Sequence, residues 1–473
     1  MRPKNQAARD QLTTALARRA AMSAGDLAVQ LGISVPTLHR LLAEQAAAVI
    51  GTGKARRTRY ALRRALRGDL SELPLYRVDA DGRASLLSHL ALVHPQGSCL
   101  SLAGSGWPVP EESRDGWWDG LPYPLIDMRP QGYMGRQLAR ARHAQLGVSA
   151  NPDEWGDDDV VHVLRQVGND LCGNLILGDP ACEQFQAQKL APADPLTPAA
   201  LGDAYARLAQ QSVAAGVPGS SAAGEFPKFT ALRGWGGSGD SGDSGDTASQ
   251  TPHVLVKFSG ADGSPAVQRW SDLLVCEHLT LVCAATLPGV TSARSRILMH
   301  AGRTFLEVER FDRHGPFGRS ALISLATLDA ALLGDGSADW TRLAGRLQAA
   351  GWLGEDDVQR IQHLWWFGRL IANSDMHTGN LSFTPPATPG PLALAPTYDM
   401  LPMLYASLPG GEVPTRRFEP PLPLPPQRTV WETACRAAIA FWVRAAADRR
   451  ISEGFRQECD VNARCLQRVA ERV

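Results

Sequence analysis

The first seventy residues carry the clearest alternation of apolar and polar positions. From Arg9 to Arg19 the apolar residues recur at helical spacing, and S-A-G-D-L-A-V-Q-L repeats that spacing from Ser23, with Asp26 completing a shortened capping box and Gly32 as the stop. After the turn G-I-S, Ser34 can cap a third helix, V-P-T-L-H-R-L-L-A-E, whose Pro36 falls in the first turn, where a missing N–H is harmless. This is helix-turn-helix spacing. Leu27, Val29, Leu31 and Ile33, with Leu38, Leu41 and Leu42, are expected to form a small core, leaving Ser34, Thr37, His39 and Arg40 for the solvent or groove side. Two short apolar strands then flank a basic loop in A-A-V-I-G-T-G-K-A-R-R-T-R-Y-A-L, the pattern of a wing.

Beyond residue 72 the periods change. L-Y-R-V-D-A-D-G-R-A-S-L-L predicts a strand, a D-G turn and a second strand or short helix, but residues 73 to about 195 offer no assignable chemistry. H-V-L-V-K-F alternates as a strand with Leu255 and Lys257 on one face and Val254, Val256 and Phe258 on the other. A helix from Asp272 to Ala285 follows, then the strand T-F-L-E-V-E-R-F-D-R. I-S-L-A-T-L-D-A-A-L-L, W-T-R-L-A-G-R-L-Q-A-A and D-V-Q-R-I-Q-H-L-W-W-F-G-R-L-I-A read as helices. Gly236 to Gln250 is a low-complexity insertion expected to hold neither structure nor site, and Pro420 to Pro426 is a polyproline-like connector to a helical C-terminal region.

Length and composition set the frame. A chain of 473 residues accommodates two or three domains with full cores. No run of eighteen apolar residues suggests a membrane span, and the N-terminus lacks the apolar region of a signal peptide, so a cytoplasmic protein without membrane contact is expected. The eight cysteines form no C-x-x-C pair and are expected to be reduced and mostly buried. The net charge of zero hides an asymmetry: residues 1 to 72 hold thirteen Lys or Arg against five acids, and the rest of the chain balances them. A basic head on an acidic body points to a polyanion at the head, with Lys54, Arg56, Arg57 and Arg59 against phosphates. A helical protein-interaction domain with a solvated basic loop is the alternative.

The candidate chemistry lies further on. In I-A-N-S-D-M-H-T-G-N, Asp375, His377 and Asn380 have the spacing of a phosphoryl-transfer loop, in which an Asp accepts the proton of an attacking hydroxyl and an Asn holds a metal ion. Asp399, in P-T-Y-D-M-L-P, would supply the second ligand, and Mg²⁺ takes few carboxylates beyond its phosphate oxygens. A polar turn after a helix reads the same way. Lys257 inside an apolar strand needs a partner, and Glu277 on the next helix supplies one, either to position a nucleotide's phosphates or only to order the lobe. The chain has only five lysines, and two of them, Lys228 and Lys257, would flank a phosphate site; Lys228 closes a glycine- and serine-rich loop, G-V-P-G-S-S-A-A-G-E-F-P-K, whose small residues, Ser221 and Gly224 among them, let backbone N–H groups approach phosphates. Arg310, Phe311 and Asp312 could form a hinge along an adenine, or ordinary strand-end packing.

Taken in order, the glycine/serine loop with Lys228, strand Lys257, helix Glu277, E-R-F-D-R, N-S-D-M-H-T-G-N and T-Y-D resemble the HipA family of serine/threonine kinases, toxins of toxin–antitoxin pairs, and its longer YjjJ-type members. The resemblance implies an α+β, bilobal, protein-kinase-like fold: a β-rich lobe over residues 73–308 and a helical lobe over 309–473, behind a winged helix-turn-helix over 1–72. It implies ATP and Mg²⁺ as cofactors, Lys257 and Glu277 as the nucleotide-positioning pair, Arg310 to Asp312 as the hinge, Asp375 as base, and Asn380 and Asp399 as metal ligands. His377 would brace the loop, and Ser221 or its neighbour Ser220 would be autophosphorylated. Operator-like DNA, a protein substrate such as an aminoacyl-tRNA synthetase, an antitoxin and a homodimer are the partners it suggests. Two other readings stay open: a DNA-binding regulator with a nucleotide-sensing body, and a metal-dependent nuclease.

Overall fold

The computed structural model describes residues 3–214, 226–234 and 249–473. It is a mixed helix-and-sheet protein whose sheets fall in three successive stretches of chain. The first contains helices Pro3–Arg18, Ala24–Leu31 and Val35–Glu44 and a three-stranded antiparallel sheet, with Arg59–Leu62 between Met22–Ser23 and Val49–Thr52. Both expected caps form: the Ser23 hydroxyl accepts from the Asp26 N–H at 3.1 Å and the Ser34 hydroxyl from the Thr37 N–H at 3.4 Å.

Leu12, Leu16, Leu27, Leu38, Leu41, Leu42 and Val49 build the core of this head, with Leu31 and Ile33 packed against it. Val29 does not join them and is 85% exposed. Leu27 and Leu31, four apart, share a helical face, whereas Val29 lies midway between them in sequence and so on the opposite side of the helix. Some of the head's basic surplus serves to dock it. Arg64 grips the carboxylate of Asp158, Arg67 meets Asp159 at 2.6 Å, and the Thr52 hydroxyl donates to the Asp115 carbonyl at 3.0 Å.

A five-stranded antiparallel sheet follows, in the order Trp117–Trp118, Ser98–Cys99, Ala84–Leu92, Leu73–Val78, Leu175–Leu177. The D-G turn thus joins two strands rather than a strand and a helix. Helix Asp157–Val167 packs here through fully buried Val160, Val161, Val163 and Leu164.

The third stretch opens on a four-stranded antiparallel sheet, ordered Ser295–His300, Arg303–Glu309, His253–Phe258, Lys228–Leu232. Val254, Val256 and Phe258 face a core of Tyr205, Phe229 and Phe305, as the alternation of that strand requires. Helix Pro265–Ala284 covers the other face and begins seven residues before the expected start, because Ser264 caps it and Pro265 fits its first turn. Helices Trp340–Ala349, Glu355–Leu370, Arg428–Ala447 and Glu453–Ala470 complete this part. The helix expected over I-S-L-A-T-L-D-A-A-L-L is only Leu325–Leu328 and then a π turn over Asp329–Leu333, since the Asp329 carboxylate captures the N–H groups of Asp335 and Gly336 at 3.0 and 2.8 Å.

The low-complexity insertion ends differently from expectation. Its last two residues are anchored, the Ser249 hydroxyl donating to Glu309 at 2.7 Å and the Gln250 N–H at 3.0 Å; residues 236–248 lie outside the described residues. Among the described residues no helix is long and apolar enough to cross a membrane, and all eight cysteines are free thiols, five of them buried.

Candidate functional site

Lys257 is the centre of the site because its strand cannot hide an ammonium without partners. The side chain is buried, and its Nζ donates to both carboxylate oxygens of Glu277, at 2.7 and 2.8 Å, and to Oδ1 of Asp399 at 2.6 Å. Lys228 stands directly across the β-ladder from Lys257, on the same face of the sheet. One ammonium between two carboxylates sets the electrostatics. Burial alone would lower the Lys257 pKa, but Asp399 and Glu277 outweigh it and hold it above the ordinary lysine value. Burial raises Glu277 to about 7 despite Lys257, with the negative charge of Asp399 adding to the rise. Burial would raise Asp399 as well, yet Lys257 and then Lys228 bring it down to about 2.

Phe226 and Trp270 form the wall behind this cluster. Lys257 Nζ lies 5.7 Å from the centre of the Phe226 ring, which meets Trp270 edge to face at 4.7 Å. Phe226 lies two residues before Lys228 in the loop, whereas nothing in the sequence around Trp270 marks it for the site.

The loop after helix Glu355–Leu370 carries the second half of the site. Its turn requires Ala372 in the left-handed region, at φ 60°. Gly368 lies beneath it, where an added Cβ would sit 2.5 Å from the Met376 sulfur. Asn373 accepts from the Asp375 N–H at 3.0 Å, which leaves the Asp375 side chain exposed. The His377 Nδ1 accepts from the Gly379 N–H at 3.1 Å and its carbonyl accepts from the Trp340 indole at 3.3 Å, so the ring is built into the turn. Asn380 is buried, and its Nδ2 donates to the Asp375 carbonyl at 3.0 Å, an arrangement that turns Oδ1 the other way as an acceptor.

Two segments are thereby brought together. Asp399 itself is left-handed, at φ 56°. Its flanks hold it to the loop: the Tyr398 hydroxyl donates to the Gly379 carbonyl at 2.7 Å, and the Met400 sulfur accepts from Asn373 Nδ2 at 3.7 Å. A carboxylate held below the ordinary range and a buried amide oxygen, on two segments tied together by the Tyr398 bond, would suit a hard cation that draws its remaining ligands from phosphates and water. Among the described residues no group of three or more His, Cys, Asp or Glu could hold a metal by itself.

Arg310 and Asp312 are employed elsewhere. Arg310 pairs with Asp170 at 3.1 Å and with Asp312 at 3.2 Å, while Arg313 meets Asp170 at 2.9 Å and Asp312 at 2.7 Å. Asp312 also accepts from the Gly173 N–H at 2.9 Å. The side chains of Arg310, Asp312 and Arg313 thus fasten the five-stranded stretch to the four-stranded one, while Glu309 holds Ser249, Gln250 and Arg233. Phe311 alone of the three faces the site's neighbourhood, its ring 5.7 Å from Tyr398. Ser220, Ser221 and Gly224 lie outside the described residues.

In the head, Ser34 and Thr37 spend their hydroxyls on each other at 3.0 Å, while His39 and Arg40 are exposed. His39 borders an open cavity of about 330 Å³ with Leu42, Val49 and Tyr60. Lys54, Arg57 and Arg59 are exposed as well, Arg57 only 3.8 Å from Asp115.

Comparison with known proteins identifies the family. Residues 69–186 match the middle domain of YjjJ-like toxins and residues 220–458 match the HipA-like C-terminal domain. Toxin YjjJ of Escherichia coli (strain K12) is 35% identical over 452 residues, covering 95% of this chain and 96% of that one. The chain belongs to the YjjJ family of HipA-like toxins. Lys228, Lys257, Glu277, Asp375, Asn380 and Asp399 all fall within the HipA-like domain, and the head precedes both matched segments. Distant likenesses in structure include a chain of the Shewanella oneidensis MR-1 complex of HipA, HipB and operator DNA, at 15% identity and TM-score 0.47, covering 85% of this chain and 97% of that one. The Helicobacter pylori proinflammatory kinase CtkA follows at 12% identity and TM-score 0.31, covering 51% of this chain and 94% of that one.

Proposed function

We propose that this HipA-like toxin is an ATP- and Mg²⁺-dependent serine/threonine protein kinase whose head, residues 1–72, is a winged helix that binds DNA. The observation that carries the kinase reading is the buried Lys257 held between Glu277 and Asp399. A lysine fixed in this way would offer its charge to a nucleotide's phosphates by exchanging its bond to Asp399 while Glu277 keeps it in place. Asp375, exposed at the tip of a loop tied down on both sides, accepts the proton of the attacking hydroxyl. Asn380 and Asp399 would hold Mg²⁺, which when bound neutralises charge on the transferring phosphoryl group. Lys228 adds a second positive charge on the same sheet face. His377 keeps the loop in shape through its bond from Gly379.

The head's three helices, paired strands and exposed His39, Arg40, Lys54 and Arg57 support DNA binding, with the loop cations giving affinity rather than sequence readout. Membership of a toxin family supports a partner antitoxin. Silencing by phosphorylation of Ser221 or Ser220 follows from the same family reading.

Nucleotide binding tests the proposal. The full chain should bind a non-hydrolysable ATP analogue more tightly with Mg²⁺ than without, and Lys257→Met should weaken that binding at least tenfold. Mg²⁺-dependent cleavage of plasmid DNA without ATP, abolished by Asp399→Ala, would replace the kinase reading with the nuclease one.

A further inference from the structure

The two proposed metal ligands come from segments far apart in sequence, and one hydroxyl joins them. Tyr398 immediately precedes Asp399, and Gly379 immediately precedes Asn380. The Tyr398 hydroxyl donates to the Gly379 carbonyl at 2.7 Å, and the Ser382 hydroxyl lies 2.7 Å from the same phenol oxygen. A phenol has one proton, so with that proton on Gly379 it is Ser382 that donates to Tyr398.

The ring is held independently of the hydroxyl. It packs against Phe311 with ring centres 5.7 Å apart and joins the main hydrophobic core. Met400, on the other side of Asp399, is fully buried and touches Asn373. Asp399 is therefore kept in its left-handed conformation by a fixed neighbour on each side, and the Tyr398 hydroxyl ties its segment to the residue before Asn380.

We infer that Tyr398 is a positioning residue whose hydroxyl sets the separation of Asn380 and Asp399, and through it the affinity of the site for a divalent cation. The inference rests on the phosphotransfer reading of the site. Groups that orient metal ligands from behind typically change metal affinity by about tenfold or more when removed, even though they never touch the ion. A tyrosine that only filled space would lose nothing when trimmed to phenylalanine.

The test is Mn²⁺ binding, followed by the loss of the free-ion electron paramagnetic resonance signal, to the full chain in the presence of a non-hydrolysable ATP analogue. Tyr398→Phe keeps the ring and removes the hydroxyl. It should raise the Mn²⁺ dissociation constant roughly tenfold, while the fold is retained and the thermal midpoint falls only by the cost of the lost hydrogen bonds. Ser382→Ala, which removes the hydroxyl that fixes the phenol oxygen from the other side, should raise the dissociation constant by a smaller but measurable factor. Phosphotransfer should follow, with the Mg²⁺ concentration for half-maximal rate shifted by the same factor and the rate at saturating Mg²⁺ retained. A Tyr398→Phe titration that overlays the wild type would overturn the inference while leaving the kinase proposal intact. Wild-type protein that binds no Mn²⁺ with the analogue would overturn the proposal beneath it. Should Tyr398→Phe fail to fold, Ser382→Ala decides: a curve coincident with wild type counts against the role.

Discussion

Lys257 and Asp399 are joined at 2.6 Å by the same ammonium that Glu277 chelates with both oxygens. A single buried cation therefore compensates two carboxylates, and its removal leaves both without it. Lys257→Met should lower stability by about 3–5 kcal/mol, the usual cost of stranding a buried charge. Adding Glu277→Leu to that variant should restore part of the loss. Urea denaturation of the two variants and the wild type measures the difference, and equal stability of the single and double variants would refute the coupling.

Asp312 gives a pH prediction. Burial would raise its pKa, but Arg310 and Arg313 outweigh burial and hold it at about 2. An unfolded aspartate titrates near ~3.9. The folded value is depressed, so the stability it contributes is complete above the unfolded value and lost as pH falls from about 4 through 2. Wild-type protein should lose urea resistance steeply over that window, and Asp312→Asn, weaker at neutral pH, should lose it less steeply.

Phe226 is 5% exposed, against Trp270 and beneath Lys257. Phe226→Ala should cost about 3–5 kcal/mol through the cavity it leaves. Phe226→Leu keeps most of the volume but removes the aromatic face, so it should cost less stability while still weakening nucleotide binding. Calorimetry and nucleotide titration on the same samples separate the two effects.

The Arg57 side chain is 66% exposed and 3.8 Å from Asp115, a pairing worth little in water. If it contacts a DNA phosphate, Arg57→Ala should weaken binding to every sequence alike and reduce the slope of log affinity against log salt by about one. Arg40→Ala, on the third helix, should change the preference among sequences instead. Fluorescence anisotropy over a range of salt concentrations checks both.

Where one period governs a segment, the sequence was enough to place it. Alternation assigned each residue from Val254 to Phe258 to its face, and the serine caps marked the starts of two helices in the head. The pairing of Lys257 with Glu277 was legible because a lysine in an apolar strand demands an acid. Val29 misled because it is apolar, and apolar type alone does not determine a helical face. The side chains of Arg310 and Asp312 were not legible as a junction, since Asp170, which pairs with Arg310, and Gly173, which donates to Asp312, lie 140 and 139 residues away in a stretch with no distinguishing pattern. Tyr398 was visible in T-Y-D, but its link to Gly379 exists only once the two segments meet.

Phosphoryl transfer itself is tested most directly by intact-mass spectrometry of wild-type protein and Asp375→Ala after incubation with ATP and Mg²⁺, with the modified residue mapped. The account predicts a phosphoryl group on wild-type protein, at Ser221 or Ser220, that Asp375→Ala does not acquire. Unmodified wild-type protein that also fails to bind ATP would contradict it.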